Sequence, residues 1–235
     1  MQSAAEVRRS TLDGGHVYET TRATFITLVR SLSDAQLQLL VPASPAWRVR
    51  DVLAHVVGIT ADLNAGDLRN IDPDTWTAAQ VALRSDRPIE AVIAEWDLEA
   101  PTFADGLRLF GYSVGSHFVG DLYVHLQDVR QALGLKPNLD ELTVRVALDF
   151  YLEAWSECLT EDSTGSITII ADGENSSVGS GDAFATLTAP PFEILRACSG
   201  RRSAEQIAAF TWTGDAPRAM ATISRYSIPA HDLID

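Results

Sequence analysis

Lysine is almost missing from this chain. One, Lys136, stands against 17 arginines, and acidic residues outnumber the basic ones 32 to 18, for a formal net charge of −14. So acidic a surface repels phosphate backbones and excludes nucleic-acid binding through a general basic face. Cysteine is scarce too: Cys158 and Cys198 stand far apart, without the spacing of a metal site or a disulfide framework. They read as two unpaired thiols in packed segments of a reducing compartment. No apolar run approaches the roughly 18 residues that cross a bilayer, so no membrane partner is expected. The opening MQSAAEVRRSTLDGG has no apolar stretch of the signal-peptide kind, and the expected location is the cytoplasm. The shortage of lysine beside abundant alanine suggests a GC-rich genome.

What is present is ordinary globular material: 235 residues, 46% hydrophobic and 21% charged. At roughly 150 residues per domain this makes one large domain or two small ones, with chain enough for a real core. The first two thirds read as helices. Helical spacing of apolar residues predicts segments over about 17–32, 49–63, 74–83, from 87 onward, 114–133 and 142–159. Asp72-Pro73 looks like a cap with proline in the first turn, and Gly134 followed by Pro137 closes the longest helix. VPASPAW between the first two helices is an extended or turned connection. After Thr160 the texture changes: SITIIA and AFATLTA are strand candidates, and ENSSVGSGD reads as turns around a possible short strand. PPFEILRACSG and the segment from Ser203 read as short helices. The expected fold is α+β, with an all-α bundle over 1–162 and a small α/β domain over 163–235.

Chemistry concentrates on two helices. His117, Asp121 and His125 are spaced four apart on the longest one. Measured at about 100° per residue from the apolar stripe, His125 is the most inward of the three and His117 the most exposed. On the second helix His55 shares a stripe with Val52, Val56 and Ile59. A bundle can bring such side chains together between facing helices. His55, Asp121 and His125 would then offer two imidazoles and a carboxylate to a divalent cation, with an open position for water or substrate. A thiol entering that position would be held as thiolate. The competing reading makes each inward histidine a hydrogen-bonded core residue.

Other candidates carry less. His117 reads as surface. Asp128, one turn after His125, would orient an imidazole N–H or pair with Arg130 or Arg50. Trp47 reads as a core plug rather than a substrate platform. Arg201, Arg202 and Arg225 would contact an anionic substrate or serve helix ends. No phosphate-cradling loop or nucleophile elbow is present.

Two motifs carry a family resemblance. VPASPAWRVRDVLAHVVG, with Pro45, Trp47, Val49-Arg50-Asp51 and His55, resembles the opening signature of the mycothiol-dependent maleylpyruvate isomerase-like family, part of the wider DinB-like metal-dependent enzymes. DLYVHLQDVRQALG, with Asp121, His125, Asp128 and Gly134, resembles its second signature. PFEILRACSGRRSAEQIAAFTWTGD looks like the family's small C-terminal domain, so the resemblance spans nearly the whole chain. Two positions depart from the pattern: Asp121 stands where glutamate is usual, and Arg48 where a small hydroxyl residue would cap the helix.

The resemblance implies a DinB-like four-helix bundle and a divalent metal, usually zinc, held by His55, Asp121 and His125. It also implies mycothiol as thiol co-substrate, which agrees with an actinobacterial source. The expected activity is isomerisation of, or S-transfer to, a small electrophile, by a monomer or homodimer. The alternatives are a non-catalytic family member that binds metal or a small ligand, favoured by the shorter Asp121, and an interaction protein whose acidic surface serves a partner.

Overall fold

The computed structural model describes residues 4–66, 72–161 and 165–235. Its contacts divide the chain into two units: one of Asp13–Asn138, and one combining Met1–Leu12 with Leu139–Ile234. In chain order the elements open with α1 (Ala4–Thr11), which belongs to the second unit.

The first unit begins with α2 (Gly14–Arg30), whose N-terminus is capped by the Asp13 carboxylate accepting from the His16 N–H. A short α3 (Asp34–Leu37) starts at a capping box of Ser33 and Gln36. The connection expected over VPASPAW is a two-stranded antiparallel ribbon, β1 (Leu40–Val41) with β2 (Ser44–Arg48). It leads straight into α4 (Val49–Asn64), followed by α5 (Pro73–Ala82), α6 (Ile89–Phe110) and α7 (Tyr112–Ala132). A single residue, Gly111 at φ +86°, reverses the chain between α6 and α7; that left-handed conformation favours glycine.

Helices α2, α4, α6 and α7 form the bundle. Val17, Phe25, Val52, Leu53, Ile93, Trp96, Val119, Leu122 and Leu126 fill it, each contributing about 1.5–3 kcal/mol by leaving water. Two buried glycines bring α2 and α7 together: a Cβ on Gly14 would lie 3.2 Å from the Gly115 Cα. Within the core, Trp96 donates its indole N–H to the Tyr18 hydroxyl, which in turn bonds Thr60.

The second unit contains α8 (Glu141–Glu161), β3 (Ser166–Ala171), β4 (Glu174–Gly179), β5 (Ala183–Thr188), α9 (Pro191–Cys198), α10 (Ala204–Ala208), β6 (Thr211–Gly214) and α11 (Ala216–Met220). The sheet order is β4-β3-β5-β6, with β3 and β5 parallel and the other pairs antiparallel. Asp172 (φ +48°) and Gly173 (φ +83°) make the two-residue turn joining β3 to β4, the left-handed pair that suits a tight hairpin. Helix α8 packs on β4 and α9. Arg8 of α1 binds the Asp149 carboxylate with two nitrogens at 2.9 and 3.0 Å and also reaches Glu174.

Two expectations change. The division falls near residue 138 rather than 162, because α8 carries Val146, Trp155 and Leu159 into the core of the sheet unit. ENSSVG, expected as turns with a possible short strand, is a full six-residue strand at one edge of the sheet, where only Val178 is buried and serines are tolerated.

Candidate metal centre

The site is built where β2 becomes α4. Arg48, the residue before the helix, has no small side chain to cap it, and a different arrangement serves. Its backbone N–H donates to Asp51 Oδ2 at 2.9 Å, while its guanidinium grips the same carboxylate at 2.8 Å through two nitrogens. Burial by itself would push the Asp51 carboxyl up, but its bonds to Arg48 outweigh this and hold it below the usual carboxylate range. A firm first turn follows, and one turn further on His55 faces inward, 4% exposed.

From α7 come Asp121 and His125. The imidazole of His125 is 7% exposed and Asp121 half-exposed, the order that helical geometry predicts. One donor atom from each of His55, Asp121 and His125 lies within 4.8 Å of the others. The imidazoles sit edge to face, centroids 5.0 Å apart. His125 Nε2 is 3.7 Å from Asp121 Oδ1, and its Nδ1 faces Asp128 Oδ2 at 3.6 Å. That Nδ1 is buried with no hydrogen-bond partner. Asp128 is fully buried. It stands beside His125 at slightly more than hydrogen-bond distance.

The His55 ring is more firmly held. Its Nδ1 lies 2.8 Å from Gln80 Oε1 of α5, and Gln80 Nε2 donates to Asp62 Oδ2 at 2.9 Å. The sequence reading passed over both residues. Asp62 falls seven positions after His55 on α4, on the same face, which is the one signal that could have found it; Gln80 sits on another helix. Trp47 is half-buried and lies against both imidazoles, with centroids 4.9 Å from His55 and 6.1 Å from His125. It is thus a wall of the cluster rather than a plug of the core.

The remaining candidates have other contacts. His117 is exposed and stacks on its neighbour Phe118. Arg202 is buried and clasped by Glu193 at 2.7 and 2.9 Å. Arg201 donates to the Ser199 carbonyl, and Arg225 to the Ala154 carbonyl and Glu157. All three serve the internal structure of the second unit.

The residues present fit a divalent cation. Two imidazoles and a carboxylate are a donor set that zinc accepts, short of a closed tetrahedral shell by one position. The buried Nδ1 of His125, 3.6 Å from the Asp128 carboxylate, is a nitrogen that a small shift would pair when Nε2 takes a ligand.

Comparisons with known proteins bear on the fold. Residues 18–113 match the family model described as the mycothiol maleylpyruvate isomerase N-terminal domain, a span that includes His55 and stops short of Asp121. Two solved structures of the mycothiol-dependent maleylpyruvate isomerase, one of them a point variant, share the fold. The variant has a TM-score of 0.56 at 11% identity, and the other 0.54 at 13%. In each case the match covers 91% of this chain and 96% of the other. No curated protein matches the chain. No helix among the described residues is long and apolar enough to cross a membrane.

Proposed function

We propose that this chain, similar in fold and in its N-terminal domain to the mycothiol-dependent maleylpyruvate isomerases, is a cytoplasmic, zinc-dependent enzyme. It uses mycothiol or a comparable small thiol to isomerise, or to conjugate, a small electrophile. The observation that carries the reading is the convergence of His55, Asp121 and His125 from two helices to within 4.8 Å.

A divalent cation held by these three residues supplies Lewis acidity that favours a thiol as its thiolate. The protein's own groups prepare for this. Two neutral imidazoles and one carboxylate neutralise only half of a dication's charge, so the set leaves charge for one anionic sulfur. Asp121, the half-exposed donor, lies on the accessible edge of the cluster, whereas the histidines are buried. The Trp47 ring covers the imidazoles on its flank and keeps water from that side. A thiolate positioned there adds to an activated double bond, forming a C–S bond as the π electron pair moves onto the electrophile's activating carbonyl. Protonation of the resulting enolate, with the C–S bond kept, gives the conjugate. Bond rotation followed by expulsion of the thiolate returns the thiol and an isomer.

Elemental analysis of protein purified without affinity metals tests the reading, together with His55→Ala and His125→Ala. About one zinc per chain, lost in both variants while circular dichroism is unchanged, is expected. Metal absent from the native protein and not taken up on adding zinc would overturn it. The shorter Asp121 favours a second reading, a metal-binding relative without turnover, and an assay with thiol and an activated electrophile separates the two.

A further inference from the structure

We propose that Asp62 and Gln80 are positioning residues that fix the tautomer and orientation of His55, a role that rests on the reading of His55 as a metal ligand. Asp62 Oδ2 receives the indole N–H of Trp76 at 2.8 Å and Gln80 Nε2 at 2.9 Å. A carboxylate accepts and does not donate, so the end of the Gln80 amide facing it must be the NH2. The other end, Oε1, then faces His55 and accepts, which places a hydrogen on His55 Nδ1 and makes Nε2 the lone-pair nitrogen. A choice made at Asp62 is thereby transmitted to the position of the lone pair on the His55 ring.

The packing supports this specific role. Gln80 is 1% exposed, so an amide that failed to find its partners there would leave polar atoms unsatisfied in the core. Its place exists because residue 58 of α4 is glycine: a Cβ on Gly58 would sit 2.5 Å from the Gln80 Cβ. Arg84, buried one turn along, donates to the Gln80 carbonyl and to Glu95 of α6, and so ties α5 down. His125 has no comparable partner, since its Nδ1 lies 3.6 Å from Asp128. Of the two imidazoles, His55 is the one set before any ligand arrives.

The test uses full-length protein carrying Gln80→Leu, Asp62→Asn or both Asp62→Asn and Gln80→Glu. Side-chain 15N NMR of the metal-free protein reads the His55 tautomer, and competition with a chromogenic chelator reads zinc affinity. Wild type should show the Nδ1-protonated form. Gln80→Leu should mix the tautomers and weaken zinc by roughly 10–100-fold. Asp62→Asn, at a half-buried position, should do so more mildly and guards against a folding defect in the first variant. The double variant rebuilds an acceptor for His55, with the new carboxamide donating to the new carboxylate, and should regain most of the lost affinity. An unchanged tautomer and affinity in Gln80→Leu would overturn the proposal, as would a double variant no better than Gln80→Leu. Should wild type bind no zinc, the metal reading falls, and the NMR arm still decides the relay.

Discussion

The rings of His55 and His125 meet edge to face, with their planes at 82°, though one comes from α4 and the other from α7. Asp121, one turn before His125, supplies the only carboxylate of the three-residue cluster. Asp121→Asn should keep the fold and lower zinc affinity by at least about 10-fold, because a neutral amide oxygen replaces an anionic donor. Asp121→Glu should bind zinc within a few-fold of wild type. Chelator competition measures both, and an Asp121→Asn protein that binds as wild type does would remove Asp121 from the ligand set.

Gly58 sets how closely α5 can approach α4. Gly58→Ala places a methyl 2.5 and 2.6 Å from the Gln80 Cβ and Cγ, which the buried neighbour cannot accommodate by rotating away. The expected cost is about 1–3 kcal/mol, as for other overpacked cores, readable in urea unfolding. Loss of zinc affinity should accompany it. Stability within 0.5 kcal/mol of wild type, a threshold set by ordinary surface substitutions at roughly that size, would show that α5 is free to shift.

How much of this was legible beforehand differs by residue. Helical periodicity gives His55, Asp121 and His125 inward or edge directions, but not that α4 and α7 face each other; the resemblance carried by the two motifs is what grouped the three. Asp62 shares the face of His55 but resembles any solvated acid until its partners are known. Gln80 carries no signal, since a glutamine on a short helix is equally suited to water. Arg48 looked like a missing cap, and the compensation from Asp51 depends on a side-chain reach that spacing does not display. The helix α8 was legible as a helix, but an apolar stripe does not say which partner covers it.

Asp51 makes stability at the start of α4 depend on pH. Its carboxyl is held below the ordinary range in the folded protein. Its contribution is therefore complete above the unfolded value of about 4 and lost as pH falls through the lower folded value. Asp51→Asn should be less stable than wild type by about 1 kcal/mol at pH 7, the size typical of a lost helix cap. The gap should close as the pH drops below 4. A gap independent of pH, in parallel denaturant curves at pH 7 and 3, would count against the Arg48 pairing.

The two thiols should react very differently. Cys198 is buried, and burial pushes its thiol well above the ordinary range, while Cys158 is half-buried. Since the thiolate is the reactive form, native protein should take up no more than one equivalent of iodoacetamide, at Cys158. The second should enter only in denaturant. Peptide mass spectrometry locates the label, and equal labelling rates would contradict the packing around α9.

In sequence, the second unit takes its chain from both before and after the first. Arg8 lies 141 positions before its partner Asp149 and 166 before Glu174, whereas Asp13–Asn138 is one uninterrupted stretch. On the ribosome, the bundle that carries His55, Asp121 and His125 can close as soon as it has emerged, with nothing still to wait for. Arg8 of α1 must meanwhile wait for α8 and then the sheet to follow, so the order of synthesis separates an early, self-sufficient bundle from a later-closing unit.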